Sequence, residues 1–156
     1  MGTYKIQDFR KYLKNPQKYK TNNANAPLTL RSGWEIQFAQ WLDRKEDVIA
    51  WNCEEVIIPY IYDVDGKQHR YFMDFWMRVR GVDGVLTEYL IEIKPNKEKF
   101  EPKMPQRKTA RYYKAVATYI KNQNKWAATE KLCQQARDQG KRLFFEVITE
   151  KEFPFI

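Results

Sequence analysis

The chain has 156 residues, of which 43% are apolar and 15% aromatic, a composition that supports a packed globule of one domain and excludes a disordered arm. Its 28 Lys and Arg against 20 Asp and Glu leave a net charge of +8, which favours a polyanionic partner without choosing between nucleic acid and an anionic membrane. No apolar run approaches the roughly 20 residues of a membrane span, and the N-terminus lacks the apolar core of a secretory signal, so the expectation is a soluble, intracellular protein without a membrane partner.

Taken in chain order, Ile6, Phe9 and Leu13 with Lys and Arg between them predict a short amphipathic helix within Tyr4 to Tyr19, stopped near Pro16. Residues 1–30 are thus expected to be a basic, helical N-terminal extension, and Thr21 to Pro27 reads as a loop. Ser32 opens the next helix as N-cap with Glu35 three residues on, and Trp34, Phe38, Trp41 and Leu42 form its apolar face up to about Asp43. The β-branched and aromatic run Glu55 to Tyr62 predicts a strand, Asp65-Gly66 a hairpin turn, and Arg70 to Val79 the returning strand. Gly81 to Gly84 turns again into a third strand, Leu86 to Ile93. Beyond Pro102 and Pro105, helices are expected from about Gln106 to Lys121, with Tyr112, Val116, Tyr119 and Ile120 buried, and from about Lys125 to Gln139, ending at Gly140. Lys141 to Thr149 is the last strand.

The chemistry concentrates at Asp74, Glu92 and Lys94. Side chains alternate along a strand, so Glu92 and Lys94 share one face while Ile91 and Ile93 point into the core. Asp74 lies among Tyr71, Phe72, Met73, Phe75 and Trp76, where an ionised carboxylate is costly unless a partner compensates it. A hard cation such as Mg²⁺ takes oxygen ligands that Asp74 and Glu92 can provide, with Lys94 placed to orient the attacking water. Each has a quieter reading: Glu35 as the last member of a capping box with Ser32, and Glu92 with Lys94 as the solvated face of a strand. The lone His69 cannot build a multi-histidine nuclease site, and Cys53 and Cys133, without paired spacing, read as reduced buried thiols.

The order of elements and acids resembles the PD-(D/E)XK nuclease superfamily, which implies an α/β restriction-endonuclease-like core, α-β-β-β-α-β, with a central mixed sheet flanked by helices over residues 31–150. Asp74 matches the strand Asp of that pattern, Glu92 and Lys94 its Glu-x-Lys, and Glu35 its helix carboxylate; Met73 stands where the pattern's name has Pro. The words Arg31-Ser32-Gly33-Trp34-Glu35, Trp41-Leu42-Asp43, Ile58-Pro59-Tyr60, Arg70-Tyr71-Phe72-Met73-Asp74, Ile91-Glu92-Ile93-Lys94-Pro95, Lys125-Trp126 and Ile148-Thr149-Glu150 look like those of the head-completion nucleases of tailed bacteriophages. More loosely, the chain is similar to TnsA-type endonucleases. The resemblance implies a Mg²⁺-dependent deoxyribonuclease, an endonuclease with exonuclease action left open, in which Mn²⁺ substitutes and cuts leave a 3′-hydroxyl and a 5′-phosphate. Asp74, Glu92 and the Ile93 backbone carbonyl would hold the metal, with Glu35 acting through water. The implied role is the processing of packaged DNA during head completion and head-tail joining. It places the protein in the host cytoplasm during phage assembly, with retention in the virion left open and head or connector proteins as partners. The alternatives are a non-catalytic DNA-binding head protein and a TnsA-like or branched-DNA endonuclease serving another role.

Basic residues mark the expected DNA path. Lys94, Lys97, Lys99, Lys103, Arg107, Lys108, Arg111 and Lys114 face only Glu98 and Glu101 along the same stretch, and Arg107, Arg111 and Lys114 are expected on one helical face as phosphate clamps. Arg31, Lys11 and Lys14 are further candidates. No base-reading module is evident, so binding with little sequence preference and steep salt dependence is expected.

Overall fold

The computed structural model describes residues 5–152. Its centre is a four-stranded mixed sheet made of β1 (Val48–Cys53), β4 (Phe75–Arg80), β5 (Leu86–Ile93) and β6 (Leu143–Ile148), in that spatial order. β1 and β5 both pair antiparallel with β4, and β6 pairs parallel with β5. That parallel neighbour requires a long crossover, supplied by α2 (Ala110–Asp138). With α1 (Gly33–Arg44) ahead of the sheet, the core reads α-β-β-β-α-β, the restriction-endonuclease-like arrangement. Between β1 and β4 the chain detours through β2 (Ile57–Tyr62) and β3 (Lys67–Phe72), which pair only with each other as a two-stranded hairpin.

The two faces of the sheet are covered differently. On one, Trp51, Phe75, Met77, Ile91 and Ile93 pack with Ile36, Phe38, Ala39 and Leu42 of α1 and with Phe9, Leu28 and Leu30. On the other, Leu90 joins the inner face of the hairpin, Ile58, Tyr60, Tyr62 and Tyr71, around Cys133 of α2. Both cysteines are free and buried, as their sequence context implies.

Five sequence expectations are corrected. The predicted N-terminal helix is absent from residue 5 onward, Tyr4 lying outside the described residues; in its place stand two short 3₁₀ turns, Phe9–Tyr12 and Pro16–Lys18. They are held by tertiary bonds: the buried Asp43 carboxylate accepts the Lys14 and Asn15 amides at 2.8 and 2.9 Å, and Lys18 Nζ caps the end of α1 by donating to the Leu42, Asp43 and Lys45 carbonyls. The single strand expected over Arg70 to Val79 is two, broken at Met73 and Asp74, and the halves belong to different sheets. β1 was not foreseen, because its register shifts between Val48 and Ala50 and so erases the two-residue period. The two predicted helices are one rod of 29 residues. Asn122 and Asn124, in the gap left between the two predicted helices, continue the helix: Asn122 is buried, and Asn124 exchanges two hydrogen bonds of 2.9 Å with Asp63 at the end of β2. Tyr112, Val116, Tyr119 and Ile120 are only half-buried, since the front of this helix extends beyond the sheet's full cover.

Candidate active site

The candidate site lies where β4 stops and β5 continues. The last rung of the β4–β5 ladder joins Phe75 to Ile91; at the next step the backbone partner is gone and the Asp74 carboxylate takes over, Oδ2 accepting the Ile93 amide at 2.8 Å. Amide and carbonyl of one strand residue point to the same side, so the Ile93 carbonyl is directed to the same edge. The chain at Asp74 is pinned from β1. Glu54, just after that strand, holds a left-handed φ of 56° and donates its amide to the Met73 and Asp74 carbonyls at 3.1 and 3.2 Å. A non-glycine residue in that conformation stores backbone strain of about 1 kcal/mol, a cost met here by the contacts that fix the strand break.

Glu92 lies on the α2 side of β5 and is 3% exposed. Its carboxylate accepts the Tyr71 hydroxyl and stands 3.5 Å from Lys94 Nζ, as the shared strand face requires. Burial and the neighbouring Glu92 charge hold the Asp74 carboxyl well above its ordinary range, against the opposing Ile93 amide. Glu92 is likewise raised by burial, opposed by Lys94 and then by Tyr71. Two carboxylates that repel each other, Glu92 buried and Asp74 half-buried, therefore await positive charge.

Glu35 sits in the first turn of α1, where Ser32 Oγ accepts the Glu35 amide at 3.1 Å. The capping box is incomplete, because the Glu35 carboxylate bonds the Arg31 amide at 3.3 Å rather than that of Ser32. Burial raises its pKa, and its charge also raises that of Asp74, so the side chain borders the pair without joining it. Among the described residues no three acidic, His or Cys side chains converge into a metal cage. The donor set is two carboxylates and a backbone carbonyl, all hard oxygen atoms with surplus negative charge. Such a set fits a partly hydrated Mg²⁺ or Mn²⁺ better than a softer ion.

The predicted DNA-contacting residues divide. Lys97 and Lys99 lie on a 3₁₀ turn, Asn96–Lys99, directly after β5. Lys97, Lys103, Arg111 and Lys114 line one cleft of 730 Å³ between that segment and the front of α2, where Phe100 and Tyr119 supply apolar wall. Arg107 and Lys108 are exposed but precede α2, whose N-cap is Thr109, so Arg107 does not share a helical face with Arg111 as expected. Arg31 is engaged by Glu54 at 2.9 Å. Lys14 belongs to the other end of α1, its backbone amide held by Asp43 about 12 Å along the helix from Glu35 by helical rise, and Lys11 precedes it on the turn Phe9–Tyr12. Sequence reasoning missed Tyr71 as a Glu92 partner and Lys125, whose ammonium lies 5.0 Å from the Tyr71 ring centroid. Both stand inside words quoted above, but only the fold brings them together.

A mixed sheet between two helices, with an Asp at a strand break facing Glu-x-Lys on the next strand, defines the class: an endonuclease-type PD-(D/E)XK architecture. The chain matches the model of the TnsA-like endonuclease N-terminal family over residues 45–150, and it belongs to that family. It is 36% identical to the head completion nuclease of Enterobacteria phage T4 over 141 residues, 88% of this chain and 87% of that protein. No solved structure matches it. Among the described residues no helix is long and apolar enough to cross a membrane.

Proposed function

We propose that the protein is a divalent-metal-dependent deoxyribonuclease that processes DNA during phage head completion, ahead of head-tail joining. The observation that carries this reading is the crowded Asp74 and Glu92 pair with Lys94 at 3.5 Å from Glu92. The nuclease name of the phage T4 relative and the endonuclease family match support it.

Asp74, Glu92 and the Ile93 carbonyl would hold Mg²⁺, with Mn²⁺ as substitute. When bound, such an ion polarises the phosphate and lowers the pKa of a coordinated water. The remaining work belongs to the chain. Tyr71 fixes the Glu92 carboxylate by donating its hydroxyl, so one oxygen is oriented and the other is left to the site. Lys94 positions the attacking water and stabilises negative charge developing on the phosphate. Glu35 acts at one remove through water on the Asp74 side. Lys97, Lys99, Lys103, Arg107, Lys108, Arg111 and Lys114 contact backbone phosphates, with Arg31 released from Glu54 when DNA binds. Lys11 and Lys14 are left out of this interface by their place at the far end of α1.

The test is cleavage of supercoiled and linear DNA by the purified full chain with Mg²⁺, with Mn²⁺ and with EDTA, beside an identically prepared Asp74→Ala variant. Metal-dependent cutting that vanishes in the variant is the expected result. DNA binding without cutting under either metal would overturn the enzymatic reading in favour of a structural head protein.

A further inference from the structure

Because α2 is one rod, cations that the sequence assigns to separate helices fall on one line. Arg111, Lys114, Lys121 and Lys125 follow at intervals of three, seven and four residues, which on a continuous helix make a single stripe. The stripe changes character along its length. Arg111 and Lys114 are exposed on the wall of the 730 Å³ cleft, whereas Lys121 and Lys125 are half-buried against the β2–β3 hairpin. Lys121 Nζ lies 4.9 Å from the Tyr62 ring centroid and Lys125 Nζ 5.0 Å from that of Tyr71. The Tyr71 hydroxyl in turn donates to Glu92, so the stripe ends at the candidate active site.

The partners of these lysines are as telling as their places. Lys94 is paired with Glu92, but neither Lys121 nor Lys125 makes an ion pair or hydrogen bond among the described residues. Asp63, the acid at the adjoining end of β2, is occupied by Asn124. An aromatic face steadies an ammonium without consuming its N–H donors, and partial burial makes those donors worth more to an anion. From Arg111 to Lys125 the helix rises about 21 Å, room for several nucleotides at roughly 3.4 Å of axial rise each.

We propose that Lys121 and Lys125 are phosphate ligands that extend the Arg111 and Lys114 contacts into a rail along α2, delivering one DNA strand to Glu92. This deepens the nuclease reading, on which it rests for the identity of the polyanion, by fixing the path of the strand. Lys125 is the last contact before the scissile phosphate.

The test uses the full chain and a fluorescein-labelled DNA duplex, with Ca²⁺ in place of Mg²⁺ to prevent cutting, and reads anisotropy across a salt series. The variant Lys121→Met with Lys125→Met keeps the aliphatic stems over the two tyrosines while removing both charges. Its expected result is a log Kd against log salt slope shallower by nearly two, at about 0.9 per lost phosphate contact, with the melting temperature retained. Arg at both positions should restore the slope. If the Met pair folds poorly, the Gln pair is read the same way. A folded variant with the wild-type slope would overturn the rail, and so would loss of folding in both pairs, which would make the lysines packing residues. Because the readout is binding, it is independent of the cutting assay: absence of metal-dependent cleavage in wild-type protein defeats the nuclease reading and leaves the slope measurement standing.

Discussion

The two ends of α1 each border a carboxylate, and the pair show how the same group is used for opposite purposes. At the C-terminal end Asp43, 3% exposed, has its oxygens filled by the Lys14 and Asn15 amides, and Lys18 caps the carbonyls beside it. Nothing is left for an outside partner. Near the N-terminal end Asp74, half-buried, shares its surroundings with Glu92 and the border charge of Glu35. There the neighbours repel. A satisfied carboxylate fastens the N-terminal segment to the core, while a crowded one keeps a site in want of a cation.

The comparison is broken most forcefully at the crowded end. Lys94→Ala should lower cleavage on the order of 10²- to 10³-fold, the usual loss when a group acting on developing charge is removed, while DNA binding is kept. Single-turnover cleavage beside anisotropy titration would check it, and normal cleavage would remove Lys94 from the mechanism. Asp43→Ala acts on the other end. It removes the charged acceptor of two part-buried amides, hydrogen bonds worth about 1.5 kcal/mol each, so urea unfolding should show a loss of about 3 kcal/mol with cleavage per folded molecule unchanged. The smallest effect concerns pH. The raised Asp74 pKa means that the folded state holds its proton more tightly than the unfolded state. Stability from this group is therefore complete below its ordinary value of 3.8 and is lost as pH rises through the folded value. Asp74→Asn, neutral throughout, should then melt higher than wild type at pH 8 in EDTA, by on the order of 1 kcal/mol, with the gap closing toward pH 4. Equal melting at both values would show that burial and Glu92 do not hold the Asp74 carboxyl above its ordinary range.

Legibility in the sequence followed the range of the forces involved. Glu92 and Lys94 were readable because strand alternation is local, and α1 because Ser32 and Glu35 announce its start. Asp74 was readable as a residue but not as a place. Nothing in Tyr71-Phe72-Met73-Asp74-Phe75 signals that a strand ends there, since the break depends on the Glu54 amide and on Val56, which accepts the Met73 amide, both distant in sequence. The continuity of α2 was hidden for the same reason: Asn122 and Asn124 fall between the two predicted helices until Asp63 is placed beside them. The N-terminal segment kept its apolar spacing yet formed no α-helix, because Asp43 at the C-terminal end of α1 and the Leu28 and Leu30 carbonyls hold its amides in another shape.

The long crossover helix also has a gradient along its axis. Its rear turns bury Thr129 and Cys133, whereas Arg111, Tyr113, Lys114 and Ala115 of its front turns are exposed. Opening such a rod costs least at the front, so amide deuterium uptake should run from Ala110 toward Cys133 in order of decreasing rate. A polyanion laid along the front turns would slow that uptake where the sheet cannot, and the helix would record its own occupancy.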